Sequence, residues 1–269
     1  MFKKIIFLSG MPRSGTSWIS QVFDSSPQVR FRLSPIFSYE LKNSVNENSV
    51  RRDWETLFKK AYFSKSEFMD QTNRRVAKEY PIFSNKEALP KFLVVKDTRF
   101  HNLTERMLAL LPEIKMVGII RHPCGAINSW LRAPKEFPAG EDPLQQWRTG
   151  ECRKGGFGEF WGFDDWKWVT NMMLRIEMEI PERFLLVQYE DIVSKPFHWT
   201  KVMFDFCGLY YTDQTDQFLM DSQTFHVDNE YAVFKNPSVK DKWQTQLDPL
   251  IIKEITDELQ GTLLERFMK

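Results

Sequence analysis

A short apolar run, Ile5-Ile6-Phe7-Leu8, passes through Ser9-Gly10-Met11-Pro12-Arg13-Ser14-Gly15-Thr16-Ser17 into Trp18-Ile19-Ser20-Gln21-Val22-Phe23, where apolar residues recur at helical spacing. The first run reads as a buried strand and the last as a helix. A strand that turns through two glycines into a helix commits the chain to layered α/β packing, and it creates an anion site at the turn. The backbone N–H groups there have no helical partner, and the helix dipole adds partial positive charge. Ser14, Thr16 and Ser17 supply hydroxyl donors, and Arg13 places a full positive charge inside the turn.

The spacing is close to the phosphate-binding pattern G-x-x-x-x-G-K-[ST]. Gly10 and Gly15 are in register with it, and Ser17 fills its last position. Thr16 stands where a lysine reaches the outer phosphates of a nucleoside triphosphate, which argues against an ATP-dependent enzyme. The charge has moved to Arg13. Such a loop suits a phosphate beside a second anionic group, with no evident magnesium clamp, and no metal site is expected.

Four further segments read as strands. Phe92 to Lys96, Met116 to Ile120 and Phe184 to Gln188 are short and apolar, like the first at Lys4 to Ser9, and Val29 to Leu33 is a weaker fifth. They alternate with helical patterns at Ser14 to Asp24, Asp53 to Tyr62, Leu103 to Leu111, Asp164 to Glu179, Pro196 to Phe206 and from Asp248-Pro249 onward. Alternation of this kind predicts an α/β fold, a P-loop-like parallel sheet of about five strands flanked by helices. Ligands of such sheets lie at the carboxyl ends of the strands. Arg13, Lys96-Asp97, Arg121-His122 and Tyr189-Glu190-Asp191 each follow a strand directly, so charge collects at one edge.

The chain has 269 residues, of which 42% are apolar, consistent with one domain over residues 1–269. The exception to regular patterning is the stretch 133–162, rich in prolines, glycines and aromatics, which reads as a lid or acceptor-binding loop. A formal net charge of +1 gives no ground for a nucleic-acid partner. Cys124, Cys152 and Cys207 fit neither a disulfide framework nor a zinc spacing. The N-terminal apolar run stops after four residues and no stretch is long enough to span a bilayer, so a soluble cytoplasmic protein is expected.

Taken with Arg121-His-Pro-Cys-Gly-Ala-Ile-Asn-Ser129, the first loop becomes specific. The chain resembles the sulfotransferase family, which moves a sulfuryl group from 3′-phosphoadenosine 5′-phosphosulfate (PAPS) to an acceptor, releasing 3′-phosphoadenosine 5′-phosphate (PAP). Gly10 to Trp18 matches the family's P-[KR]-S-G-T-[ST] loop, Arg121 and Ser129 its strand-end arginine and helix serine, and Val187-Gln188-Tyr189-Glu190-Asp191 its strand leading to Tyr-Glu-Asp. Arg13 in place of lysine, and Lys96-Asp97, look more like the protein-tyrosine and carbohydrate branches than the small-phenol branch.

The resemblance implies roles. Pro12, Arg13, Ser14, Gly15, Thr16, Ser17 and Trp18 would hold the 5′-phosphosulfate end. Arg121 and Ser129 would hold the 3′-phosphate, Tyr189 would lie against adenine, and Lys240 and Lys242 would close a basic loop over the 3′-phosphate. Arg13 and Lys96 would stabilise the leaving oxygen. For the general base the family patterns fail: Thr98 and Ser34 stand where branch-specific bases would be. Glu40 and Asp97 are equal candidates, with His101 behind them, and His122 falls on the 3′-phosphate side. The expected acceptor is a glycan or small metabolite. The rival readings are a small-molecule kinase using ATP and a non-catalytic nucleotide-binding protein.

Overall fold

The structure, a computed structural model, describes residues 2–227, 229, 231–235 and 237–269. Five parallel strands, β1 (Lys4–Gly10), β2 (Val29–Leu33), β3 (Phe92–Asp97), β4 (Lys115–Ile120) and β5 (Phe184–Gln188), lie in the order β2-β3-β1-β4-β5. The register sets Ser9 beside Asp97 and Gly118, and Ile119 beside Gly10 and Val187.

Both faces of the sheet are apolar because both are covered, as parallel sheets require. Strand alternation divides the core in two. On one face Ile6, Leu8, Val94, Val117 and Ile119 pack against Trp18, Ile19, Val22 and Phe23 of the helix Thr16–Asp24, and against Met203 and Phe204 of the helix Pro196–Cys207. On the other, Ile5, Phe7, Leu93, Val95 and Met116 meet Trp54, Leu57 and Phe58 of the helix Arg51–Phe63. The helices Gly162–Glu179 and Pro249–Leu259 complete that layer with Trp166, Met172, Ile251 and Ile255. Fully burying each of these large side chains contributes roughly 1.5–3 kcal/mol.

Two features differ from the sequence-based expectation. The helix Asp213–Thr224 and the short pair Glu67–Asp70 and Thr72–Val76, none of them foreseen, pack onto the cavity side of the fold. The stretch 133–162 is irregular as expected, with one short helix Pro143–Gln146, but its rings are largely core. Phe137, Trp147 and Trp161 are buried, with Trp130 against Phe137 and Trp161 and with Trp147 on Phe163. Only Glu136 and Trp161 of this stretch line the cavity described below.

No helix among the described residues is long and apolar enough to cross a membrane.

Candidate active site

The strand order reverses at β1: the chain runs out to β2 and β3 on one side, then crosses to β4 and β5 on the other. A crevice opens outside the carboxyl ends at such a switch point. A cavity of about 340 Å³ occupies it, lined by Arg13 from the loop after β1, Ser34 after β2, Lys96 of β3, Arg121 after β4 and Tyr189 after β5. All five strands therefore contribute to one site.

The loop after β1 is shaped by its two glycines. A Cβ on Gly10 would fall 2.4 Å from the carbonyl oxygen of Ile119, because β4 presses on the strand end. Gly15 has φ +80°, and a Cβ there would enter the ring of Tyr189 at 2.2 Å. The ring of Tyr189 thus packs on the turn itself. Arg13 is also left-handed, at φ 69°, as are Ser34 (φ 35°) and Phe100 (φ 55°) at the ends of β2 and β3. Each such residue costs on the order of 1–3 kcal/mol and persists only where surrounding contacts enforce it; such residues gather at functional sites.

The basic side chains converge. Arg13 donates from Nε to Ser129 Oγ at 3.1 Å, and Arg121 donates to the Arg13 carbonyl at 2.9 Å. The first loop and the Arg121–Ser129 pocket are consequently contiguous. Arg121 is buried, its guanidinium 5.0 Å from the Tyr189 ring centre, and its Nε has no partner among the described residues. Gly125 makes room for that guanidinium, since a Cβ would come within 3.0 Å of Nε. Arg121 lines the cavity, and a guanidinium at a cavity wall is suited to an oxyanion. Trp18 lines the cavity too, held by a 2.9 Å bond from Nε1 to Ser222 Oγ.

Lys96 reaches across from β3. Its amine donates to Ser17 Oγ at 3.0 Å in the first turn of the helix Thr16–Asp24. Burial lowers its pKa to about 8, opposed by Glu136 and Asp97 and reinforced by Arg74 and Arg13. Six basic residues line the cavity among the described residues, Arg13, Arg74, Lys96, Arg99, Arg121 and Lys235, against the single carboxylate Glu136.

Several expected residues lie elsewhere. Asp97 follows Lys96 on the strand, so pleating turns it to the opposite sheet face, with Ser9 and His101. Its carboxylate accepts the Arg99 amide at 3.0 Å and the Ser34 hydroxyl at 3.4 Å, and burial pushes its pKa up to about 7. His101 is buried on that face against Phe160, and burial pulls it down to about 3. Glu40 is exposed beyond the turn Pro35–Phe37 and accepts a hydrogen bond from Ser64. None of the three lines the cavity. Ser14 is buried beneath the loop, outside the lining, with its hydroxyl unpartnered among the described residues.

Lys240, in the turn Pro237–Asp241, donates to Ser194, and Lys242 is exposed. From that segment it is Lys235 and Val239 that line the cavity. His122 caps the helix Pro123–Leu131 by accepting the Cys124 amide and stacks on Trp243 at 4.3 Å; burial lowers its pKa to about 4.

The residue that sequence reasoning missed is Glu136. It follows the helix Pro123–Leu131, in the turn that leads away from Ser129, and one carboxylate oxygen is 3.5 Å from Arg13 Nη1. Its one sequence signal is weak: a carboxylate seven residues beyond Ser129, in the segment already marked as irregular.

Comparison with known proteins identifies the fold and the family. No curated protein matches the chain. Among solved structures it is similar to mouse sulfotransferase SULT7A1 complexed with PAP, at 15% identity and TM-score 0.56, over 98% of this chain and 88% of that one. It is similar to the sulfotransferase domain from the curacin biosynthetic pathway, at 18% identity and TM-score 0.52, over 96% and 98% of the two chains. Retinol dehydratase in complex with androsterone and inactive cofactor PAP matches at 14% identity and TM-score 0.53, over 98% and 83%. At such identities the likeness is one of fold. A family model described as "Sulfotransferase family" matches residues 6–213. That match runs from within β1 through β5 and takes in every strand end around the cavity, and the chain accordingly belongs to the sulfotransferase family.

Proposed function

We propose that this protein transfers a sulfuryl group from PAPS to the hydroxyl of a small-molecule or glycan acceptor. The observation that carries the reading is the contiguity of two anion sites, the Arg13 loop and the Arg121–Ser129 pocket, joined by the 2.9 Å and 3.1 Å bonds around Arg13. PAPS is negatively charged at both ends, and the cavity is basic along its length. The guanidinium of Arg121 is suited to the 3′-phosphate, and Ser129 lines the same cavity. Trp18 offers a flat apolar wall for adenine. The loop amides, Thr16 and Ser17 suit the 5′-phosphate at the helix N-terminus.

The step resembles phosphoryl transfer, in which positioning and charge stabilisation do most of the catalysis. The acceptor oxygen forms a bond to sulfur while the bond from sulfur to the bridging oxygen breaks. The electron pair of that bond leaves with PAP, where Lys96 and Arg13 stabilise it. The acceptor proton passes to Glu136, the one carboxylate lining the cavity among the described residues. Glu136 takes the part first expected of Glu40 or Asp97.

Two outcomes test the donor site. Arg121→Ala is expected to weaken PAP about 10- to 150-fold, the worth of roughly 1.5–3 kcal/mol for a charge-assisted bond. It should leave adenosine 5′-phosphate far less affected, as titration calorimetry will show; equal weakening of both would remove Arg121 from the 3′-phosphate. The second outcome concerns pH. Lys96 is charged below its lowered pKa of about 8 and neutral above it. PAP affinity should therefore decline as pH rises through that value, and Lys96→Arg, whose guanidinium stays protonated, should remove the decline. A flat profile in the unaltered protein would show that the Lys96 charge does not contribute.

A further inference from the structure

Resting on the donor assignment above, the far end of the cavity says what kind of acceptor enters. Arg121 and Tyr189 follow β4 and β5, so the nucleoside end of the donor belongs there, with its sulfuryl group toward Lys96 at β3. In-line displacement brings the acceptor from the side opposite the leaving group. That side is the β3–β2 end, lined by Ser34, Phe37, Phe68, Arg74, Thr98 and Arg99.

This end holds the guanidinium of Arg99, and that of Arg74 borders the Arg13 loop, since Arg74 and Arg13 lie over the same Tyr231 ring. Arg99 lies 3.8 Å from the centre of the Phe37 ring and is paired with Glu159 at 3.0 Å. The other oxygen of Glu159 accepts Trp161 Nε1 at 2.8 Å, so this carboxylate is committed to holding both residues in place. Among the described residues no side chain hydrogen-bonds the Arg99 guanidinium, which carries five N–H donors in all; its contact with Glu159 is an ion pair. Arg74 is anchored in the same manner, by Glu79 at 2.6 Å and over the rings of Tyr80 and Tyr231. Beside them Phe37 and Phe68, 6.2 Å apart, are 41% and 39% exposed, two rings open to the mouth of the cavity.

We propose that the acceptor is itself an anion: a hydroxyl-bearing molecule whose carboxylate or other oxyanion is received by Arg99 and Arg74 while its apolar face rests on Phe37 and Phe68. Guanidinium groups fixed by stacking and by a carboxylate are prearranged forks for an oxyanion. The uncharged remainder then meets rings rather than water. Glu136, 3.5 Å from Arg13, and Lys96, 3.0 Å from Ser17, mark the loop end of the cavity as the place where the acceptor hydroxyl meets sulfur.

The test uses the whole chain saturated with PAP and three matched phenols: 4-hydroxyphenylacetate, 4-hydroxybenzenesulfonate and the neutral 4-hydroxyphenylacetamide. Calorimetric titration should find at least one anion bound about tenfold or more tightly than the amide, as a charge-assisted bond implies. Arg99→Gln and Arg74→Gln should each reduce that preference, and Arg99→Lys should retain part of it, each measured at a PAP concentration that saturates the variant. An amide that binds as well as both anions, or three phenols that all fail to bind a PAP-loaded protein, would overturn the proposal and leave the donor assignment standing. Failure of PAP to bind the unaltered protein would instead strike the donor assignment.

Discussion

Glu136→Gln will lower turnover about 10²- to 10⁴-fold, the usual worth of a positioned general base, while PAP binds as well as before or more tightly. The two halves of this expectation come from one fact. Glu136 is the only acidic residue lining a cavity with six basic ones among the described residues. Removing its charge makes the cavity more favourable to an anionic nucleotide, yet it deprives the acceptor hydroxyl of a proton acceptor. A purely structural Glu136 would behave otherwise. It is 3.5 Å from Arg13, so losing a structural ion pair would disturb Arg13 and weaken the nucleotide. The acceptor supplies a second discriminant. A more acidic phenol needs less help to lose its proton, so the defect of Glu136→Gln should shrink from an alcohol to a nitrophenol. Turnover of labelled PAPS across such a series measures it. A variant with unaltered turnover on every acceptor would remove Glu136 from the chemistry.

Arg13→Ala will cost about 10²- to 10³-fold in turnover, the scale found when one charge-stabilising donor is removed from a preorganised site. Backbone strain is not part of this prediction. Arg13 already sits at φ 69°, and alanine meets the same steric penalty there. What is lost is a guanidinium that touches Ser129 at 3.1 Å and Glu136 at 3.5 Å, and so spans the proposed phosphate and proton-transfer ends of the cavity. Arg13→Lys keeps the charge but not the planar fork, and it should recover turnover only in part. Stopped-flow measurement of a single turnover with bound PAPS isolates the chemical step. Wild-type rates in Arg13→Ala would leave Lys96 and the loop amides as the stabilising groups.

The parallel sheet and the anion loop were legible in the residues because each rests on local chemistry. Continuous apolar runs such as Leu93-Val94-Val95 are strands buried on both faces, and two glycines between a strand and a helix leave amide groups pointing outward. The placing of Arg13, Lys96, Arg121, Ser129 and Tyr189 at one edge follows from the same logic, since each lies at a strand end or one helix beyond it. Other parts of the cavity lining were not legible. Phe68 and Arg74 come from two short helices joined at Gln71 with φ 59°, too brief to show a period. Ser222 comes from a helix whose polar composition hides its buried stripe.

Sequence alone determined the sheet, the first loop and the basic character of the strand ends, because those depend on neighbours within a few residues. Tertiary structure decided which carboxylate lines the cavity. Pleating sent Asp97 to the wrong face of the sheet, a turn left Glu40 in solvent, and the bend after the helix Pro123–Leu131 brought Glu136 to Arg13. Adjacency in the chain says nothing about which way a side chain leaves the backbone, and a contact across 123 positions is made by packing rather than by sequence spacing.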